Sequence, residues 1–561
     1  MSIRLTRTTL IALSLIAIPL YLGPGCDASA PRTTFETGGN GGSPTGPGPG
    51  AGGEGGTVFT VGAGGGGGGG NAGPGVDPTT CAEAATYRTY IGCDFWPTPV
   101  SNTVWSIFDF AVVVANAGDQ SADVTVTRGG TPVAMATVAP NDLAKIFLPW
   151  IPELKGGDFD ACVYIPPPPT SSLRVTNGAY HLVSSRPVTV YQFNALEYGP
   201  QGGPPGKDWS SCPAQFCAGV PCLSFSNDAS LLLPSTAMTG NYRVASYRGW
   251  AQAQMGAYFA ITGTQNGTNV QVKVSGNGQI LGGNGIPASG ANGLVNFGLN
   301  EGEVVEVING ASADPAGSLV YADKPVQVIA GIPCIYIPDN KTACDHLEES
   351  VFPVETLGKH YFVTVPTSPN GAVVGHVVRI IGNVTGTQLS YPGTSPNNAP
   401  LSINAGQVVD LGVVSQDFEI VGDHEFTVVS FQLGSEVVDP GQGNNAKGDP
   451  AESISTAVEQ YRTKYVFLAP DDYDINFVDI VQPQSAVVTL DGANVTAAVA
   501  PISSNYGVAR VQLGPGNNGA HLLTATEAVG IQVIGYGKAT SYQYPGGLNL
   551  RAIAPPPPPP N

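Results

Sequence analysis

Short runs of β-branched and apolar residues recur along most of the chain, each closed by Gly, Asn, Asp or Pro. Examples are Phe110-Ala-Val-Val-Val-Ala115, Ala122-Asp-Val-Thr-Val-Thr127, Val270-Gln-Val-Lys-Val274 and Ala486-Val-Val-Thr-Leu490. Partial alternation within such runs is the mark of strands with one buried face. No amphipathic stretch is long enough for a helix of about twelve residues. From Cys81 to about Arg551 the pattern therefore predicts an all-β body. Many short, evenly spaced strands point to tandem Ig-like or related β-sandwich modules.

The pattern repeats. Arg186-Pro-Val-Thr-Val-Tyr-Gln-Phe193 recurs as Lys324-Pro-Val-Gln-Val-Ile-Ala-Gly331, with echoes at His424–Phe431 and Val529–Tyr536. Aligned on Val190, Val328, Val428 and Val533, the copies are 138, 100 and 105 residues apart. A further strand precedes each copy, at Ala179–Val183, Ser318–Tyr321, Phe418–Val421 and Ala520–Leu523. Two strands with a short polar turn, recurring about every hundred residues, read as one hairpin per sandwich. The expected modules span 81–200, 236–356, 357–450 and 451–551, with a Cys-rich connector at 201–235.

The ends read differently. Arg4 and Arg7 precede an almost wholly apolar run, Leu10–Leu22, which has the form of a signal peptide over residues 1–25. The run is shorter than the roughly 20 apolar residues of a membrane span. Gly23-Pro24-Gly25-Cys26 resembles a bacterial lipobox, with Gly23 where Leu is usual, and predicts lipidation of Cys26. Residues 26–80 form a Gly-rich linker, with 21 glycines among the 38 residues of Gly38–Gly75. Such a stretch has too little to bury to repay its ordering entropy. Its heptaglycine Gly64–Gly70 lacks the following Lys and helix of a phosphate loop. Pro555–Pro560 closes the chain as a polyproline tail spanning 552–561.

Composition narrows the function. Charged residues make up only 12% of the chain, and 42 acids against 23 bases leave a net charge of −19. A surface of that sign cannot draw on counterion release, so nucleic acid is not an expected partner. Besides Cys26, eight cysteines remain: Cys81, Cys93, Cys162, Cys212, Cys217, Cys222, Cys334 and Cys344. An even number in an exported chain predicts disulfides, Cys81–Cys93 and Cys334–Cys344 being the simplest local pairs. Cys162 with Cys212, Cys217 and Cys222 would supply two more. No CxxC occurs and no His lies near that cluster, which argues against a metal site.

Further segments resemble a known family. They are Tyr90–Trp96, Ser226-Asn-Asp-Ala-Ser-Leu-Leu-Leu-Pro234, Ala343-Cys-Asp-His-Leu-Glu-Glu349 with Pro353 and Gly358–Tyr361, and Gly448-Asp-Pro450 with Glu459-Gln460. Lys464–Pro470, Leu490-Asp-Gly492, Gly535-Tyr-Gly537 and Ser541–Gly547 complete the set. In order and spacing the chain resembles bacterial relatives of the IgGFc-binding protein N-terminal domain, with residues 236–551 approximating the core. That resemblance implies a secreted or surface-exposed, all-β interaction domain without known catalysis, and places antibody recognition on no residue.

Candidate chemistry is sparse. None of the six His stands in HExxH, HxH or a nucleophile elbow, and no GxSxG occurs. Asp345-His346-Leu-Glu348-Glu349 gathers carboxylates and an imidazole that could bind a divalent cation or act as an acid–base pair, or could simply cap a turn. Asp471-Asp472-Tyr473-Asp474, with Asp479, could bind Ca²⁺ but lacks EF-hand spacing. Tyr242, Tyr247, Trp250 and Tyr258 could form an aromatic recognition face or pack in the core. Asn266, Asn340, Asn383 and Asn494 stand in glycosylation sequons that mark polar turns. The expectation is a membrane-anchored protein at the bacterial surface, in the outer membrane, serving adhesion or binding to an unknown protein or glycan partner, with no cofactor and no catalytic or metal-ligating residues. Competing readings are a structural component of the envelope or extracellular matrix, and a carbohydrate-active enzyme using a carboxylate pair.

Overall fold

A computed structural model describes residues 76–560 except 161, 163, 213–218 and 515–518. The signal segment, Cys26, the glycine tether as far as Gly75, and Cys217 lie outside the described residues. No described helix is long and apolar enough to cross a membrane. The longest described helix, Cys81–Tyr87, has seven residues. Its N-cap Thr80 accepts from the Glu83 amide while Glu83 reaches back to Thr79. Everything else of consequence is antiparallel sheet.

One pairing plan occurs four times. The second module shows it most simply. An inner sheet runs Asp345–Ser350, Val326–Ile335, Tyr258–Gly263, Val304–Ile308, and is extended by Leu173–Val175. An outer sheet runs Leu294–Leu299, Thr268–Lys273, Leu319–Ala322, Asn241–Arg243. The third module repeats this with Glu452–Ile454, Phe426–Phe431, His376–Gly382 and Val408–Val414 inside, and Ser402–Ile403, Thr387–Ser390, Phe418–Gly422 and His360–Val363 outside.

In the first and fourth modules one long strand serves both sheets. His181–Phe193 pairs through its first half with Gly92–Phe95 and Ala122–Arg128, and through its second with Phe110–Asn116 and Ala229–Leu232. Ala520–Gly537 likewise pairs first with Arg462–Leu468 and Val488–Leu490, then with Ile475–Pro483 and Thr540–Pro545. The sequence repeat is therefore a sheet-to-sheet crossing and not a hairpin. In the second and third modules its two strands lie in opposite sheets, so the short segment between them turns a corner of the sandwich.

Burial follows the same division. The central inner strands are covered on both faces: every residue of Phe110–Asn116, Tyr258–Gly263, Val326–Ile335 and His376–Gly382 is buried. In Tyr258–Gly263, Phe259 and Ile261 face the sandwich core, while Tyr258 and Ala260 join a central cluster drawn from all four modules. In the outer sheet of the second module, Leu294–Leu299 alternates buried and exposed positions, whereas Leu319–Ala322 and Asn241–Arg243 are wholly buried.

Candidate functional site

The last strand of each module is the one that meets the others. These axial strands are Ala229–Leu232, Asp345–Ser350, Glu452–Ile454 and Thr540–Pro545. Each lies beside the next and the fourth lies beside the first, which closes a ring. Ala229–Leu232 falls within 201–235, and Glu452–Ile454 opens 451–551, yet each pairs back onto the module before it.

Asp228 ties the ring together. Its Oδ1 accepts the amides of Ala229 (2.9 Å) and Gln543 (3.2 Å), and its Oδ2 those of Glu348 (3.1 Å) and Glu452 (2.9 Å). One carboxyl thus takes an N–H from every axial strand. Asp345 adds a second tie: it accepts from the amides of Asn227, His346 and Ser541 and from the Thr540 hydroxyl. Asp449 accepts the amides of Ala343 and Ser435, both at 2.8 Å.

The ring is crowded with buried acids. Asp228, Asp345, Glu348, Glu349, Asp449 and Glu452 are all fully buried. Burial pushes the Glu348 carboxyl up to about 8, against hydrogen bonds from Gln192 and Asn194, and that of Asp449 up to about 7. Burial likewise raises Asp345, Glu349 and Glu452 well above the carboxylate range, and neighbouring acids repel all three. At Asp228 burial acts in the same direction, with amide donors opposing it. Neither Glu452 oxygen has a hydrogen-bond partner among the described residues. Burial holds the His346 ring neutral, down to about 3, and its Nε2 stands 4.0 Å from Glu348. The hub stores protons more readily than charge. Among the described residues, no group of three or more His, Cys, Asp or Glu is arranged to hold a metal ion.

At the end where the axial strands begin, the ring opens into a pocket of about 440 Å³. The approach to each axial strand contributes to its wall: Phe225, Cys344, Ala446 and Lys538 with Ala539. Phe159, Ile165 and Tyr336 add apolar surface, and Trp250 packs behind Tyr336 with ring centroids 4.6 Å apart. The Cys334–Cys344 bridge braces one side.

Asp345, His346, Glu348 and Glu349 thus stand together in the hub, joined by Asp228, Asp449 and Glu452 from other modules. The Asp471–Asp479 acids are dispersed. Asp472 accepts the Tyr198 and Gly199 amides, Asp479 binds Thr367, and Asp471 is exposed. The aromatic recognition face does not exist. Tyr242, Tyr247, Trp250 and Tyr258 are all buried, because they sit on or beside strands whose two faces are both covered. Disulfides join Cys81–Cys93, Cys212–Cys222 and Cys334–Cys344, and Cys162 is also oxidised. Lys447 and Lys538 escaped notice in the sequence. Aligning the repeats would have exposed both, since Lys447 stands two residues before Asp449 and Lys538 two before Thr540.

The model of the IgGFc binding protein family matches residues 228–535, from the axial Asp228 into the last crossing strand. The human (Homo sapiens) IgGFc-binding protein is 26% identical over 239 residues, which is 41% of this chain and 4% of that protein. Among solved structures, an anti-sigma factor domain-containing protein from Clostridium clariflavum aligns over 55% of this chain and 82% of its own, with 13% identity and a TM-score of 0.11.

Proposed function

The chain belongs to the IgGFc-binding protein family, and on that footing we propose that it works by binding, as a lipid-anchored surface protein that engages a protein partner. The observation that carries the reading is the extent of the match. It begins at the aspartate that ties the axial strands and runs through the second, third and most of the fourth modules. What relates this chain to the family is thus the stretch from the first axial strand into the fourth module, with three of the four axial strands, a scaffold that presents loops at fixed positions. The human relative's name refers to the Fc region of IgG; the partner here is a protein left open by that name.

Export and anchoring supply the setting. Lipidated Cys26 holds the chain at the outer membrane, the glycine linker lifts the body clear, and oxidised cysteines brace it in an oxidising compartment. Mass spectrometry of the mature N-terminus tests the anchor: acylated Cys26 is expected, and a free thiol there refutes it. Crosslinking on intact cells tests binding. A saturable protein partner, displaced by excess soluble chain, is expected. Capture of glycan alone, or no competable partner, refutes the reading in favour of a glycan receptor or an envelope scaffold.

A further inference from the structure

The axial pocket has apolar wall residues and one cation, Lys538, in its lining, and Ala446 in the same lining places Lys447 next to it. Lys447 and Lys538 face each other in an isolated antiparallel bridge. Residues directly opposite in such a pair project to the same face with Cβ atoms about 4.5–5.5 Å apart, where like charges repel. Neither ammonium has a hydrogen-bond or ion-pair partner among the described residues, although Asp474 attracts Lys447 from a distance and Asp439 accepts the Lys447 amide. Lys341, next to the lining residue Thr342, is already engaged with Glu436 at 3.1 Å. In a chain of net charge −19, two half-buried, unpaired lysines placed side by side form a local exception.

Phe159, Ile165, Phe225 and Tyr336 give the wall an apolar side, with Thr342, Ser435 and Asn444 as its polar members, around a volume of about 440 Å³. Pockets that bury small ligands or peptide ends measure about 300–1,000 Å³ and combine apolar lining with a few convergent polar groups. An anion between the two lysines relieves their repulsion, and an apolar group beside it covers the aromatic wall. Both demands are met by a polypeptide C-terminus, which carries a carboxylate next to its last side chain.

We propose that the axial pocket captures the free C-terminus of a partner polypeptide ending in an apolar residue, its carboxylate between Lys447 and Lys538. The proposal rests on the protein-binding reading and assigns that reading a site. Each of the four modules lends a segment to this pocket, so the ring of axial strands sets its shape.

The test uses the full chain and a fluorescein-labelled decapeptide ending in Leu-Phe, followed by anisotropy. Saturable binding is expected, weakening at least tenfold when the peptide is amidated at its C-terminus, and falling with added salt. The double variant Lys447→Gln/Lys538→Gln should lose affinity by a similar factor, whereas Arg186→Gln, remote from the pocket, should not. Equal binding of acid and amide, unchanged affinity in the double variant, or no saturable binding overturns the proposal. The peptide comparison needs no variant, so it stands even if the double variant fails to fold. If intact-cell crosslinking still captures a protein partner after that result, the pocket assignment fails alone; if it captures none, the protein-binding reading fails with it.

Discussion

Removing the Asp228 carboxyl should cost more than any other single change at the hub. In Asp228→Ala, four amides from four strands, now bonded at 2.9–3.2 Å, lose their acceptor inside a fully buried ring. An unsatisfied buried donor costs about 1–3 kcal/mol, so four reach about 4–12 kcal/mol before relaxation. The Ala229 amide is adjacent in the chain and relaxes most easily, which places the expectation near the lower end. Asp228→Asn keeps one acceptor oxygen, enough for one pair of donors, and should lose about half as much. Total stability is typically about 5–15 kcal/mol, so the alanine variant will be marginal or unfolded. Urea denaturation followed by tryptophan fluorescence reads the difference, with exposed Asp471→Ala as a control expected within about 0.5 kcal/mol of the parent. If Asp228→Ala lies within about 1 kcal/mol of the parent, the aspartate is not what holds the axial strands together.

The buried acids also set a pH dependence. Burial raises Glu306 and Glu348 to about 8, Glu197 and Asp449 to about 7, and Asp479 to about 6. Such groups bind protons more tightly folded than unfolded, so their stability is whole below the ordinary carboxylate range and drains as pH climbs through 6 to 8. The melting temperature should therefore fall between pH 5 and pH 9, less steeply in Glu348→Gln; a melting temperature that rises across that range contradicts the assignment. Breaking the Cys334–Cys344 bridge, which spans 10 residues, with Cys334→Ala/Cys344→Ala should cost about 2–4 kcal/mol in urea denaturation. In Gly331→Ala a Cβ would stand 1.9 Å from the Leu347 carbonyl oxygen, so the axial strand must move. That variant should lose a cooperative thermal transition that exposed Leu294→Ala retains.

Local sequence determined the kind of element at nearly every position. Solid apolar runs such as Phe110–Ala115 became strands covered on both faces, and alternating ones such as Val270–Val274 fell in the outer sheet. The hundred-residue repeat also reflects a real recurrence of one pairing plan. Periodicity could not decide which sheet a strand joins. Ser318–Tyr321 and Lys324–Gly331 look the same whether they fold back as a hairpin or pass from one sheet to the other, because side-chain alternation says nothing about backbone partners. The hub was out of reach for a different reason. Asp345, Glu348 and Glu349 form a visible acidic cluster, but Asp228, Asp449 and Glu452 lie on other modules, about a hundred residues away in each direction. Their encounter exists only once four modules close a ring, and that closure also removes the water that would have kept these acids charged. The same closure turned Tyr242, Tyr247, Trp250 and Tyr258 inward and set Lys447 opposite Lys538. Composition and pattern chose the strands; packing around a common axis chose which polar groups would be buried, paired or left for a ligand.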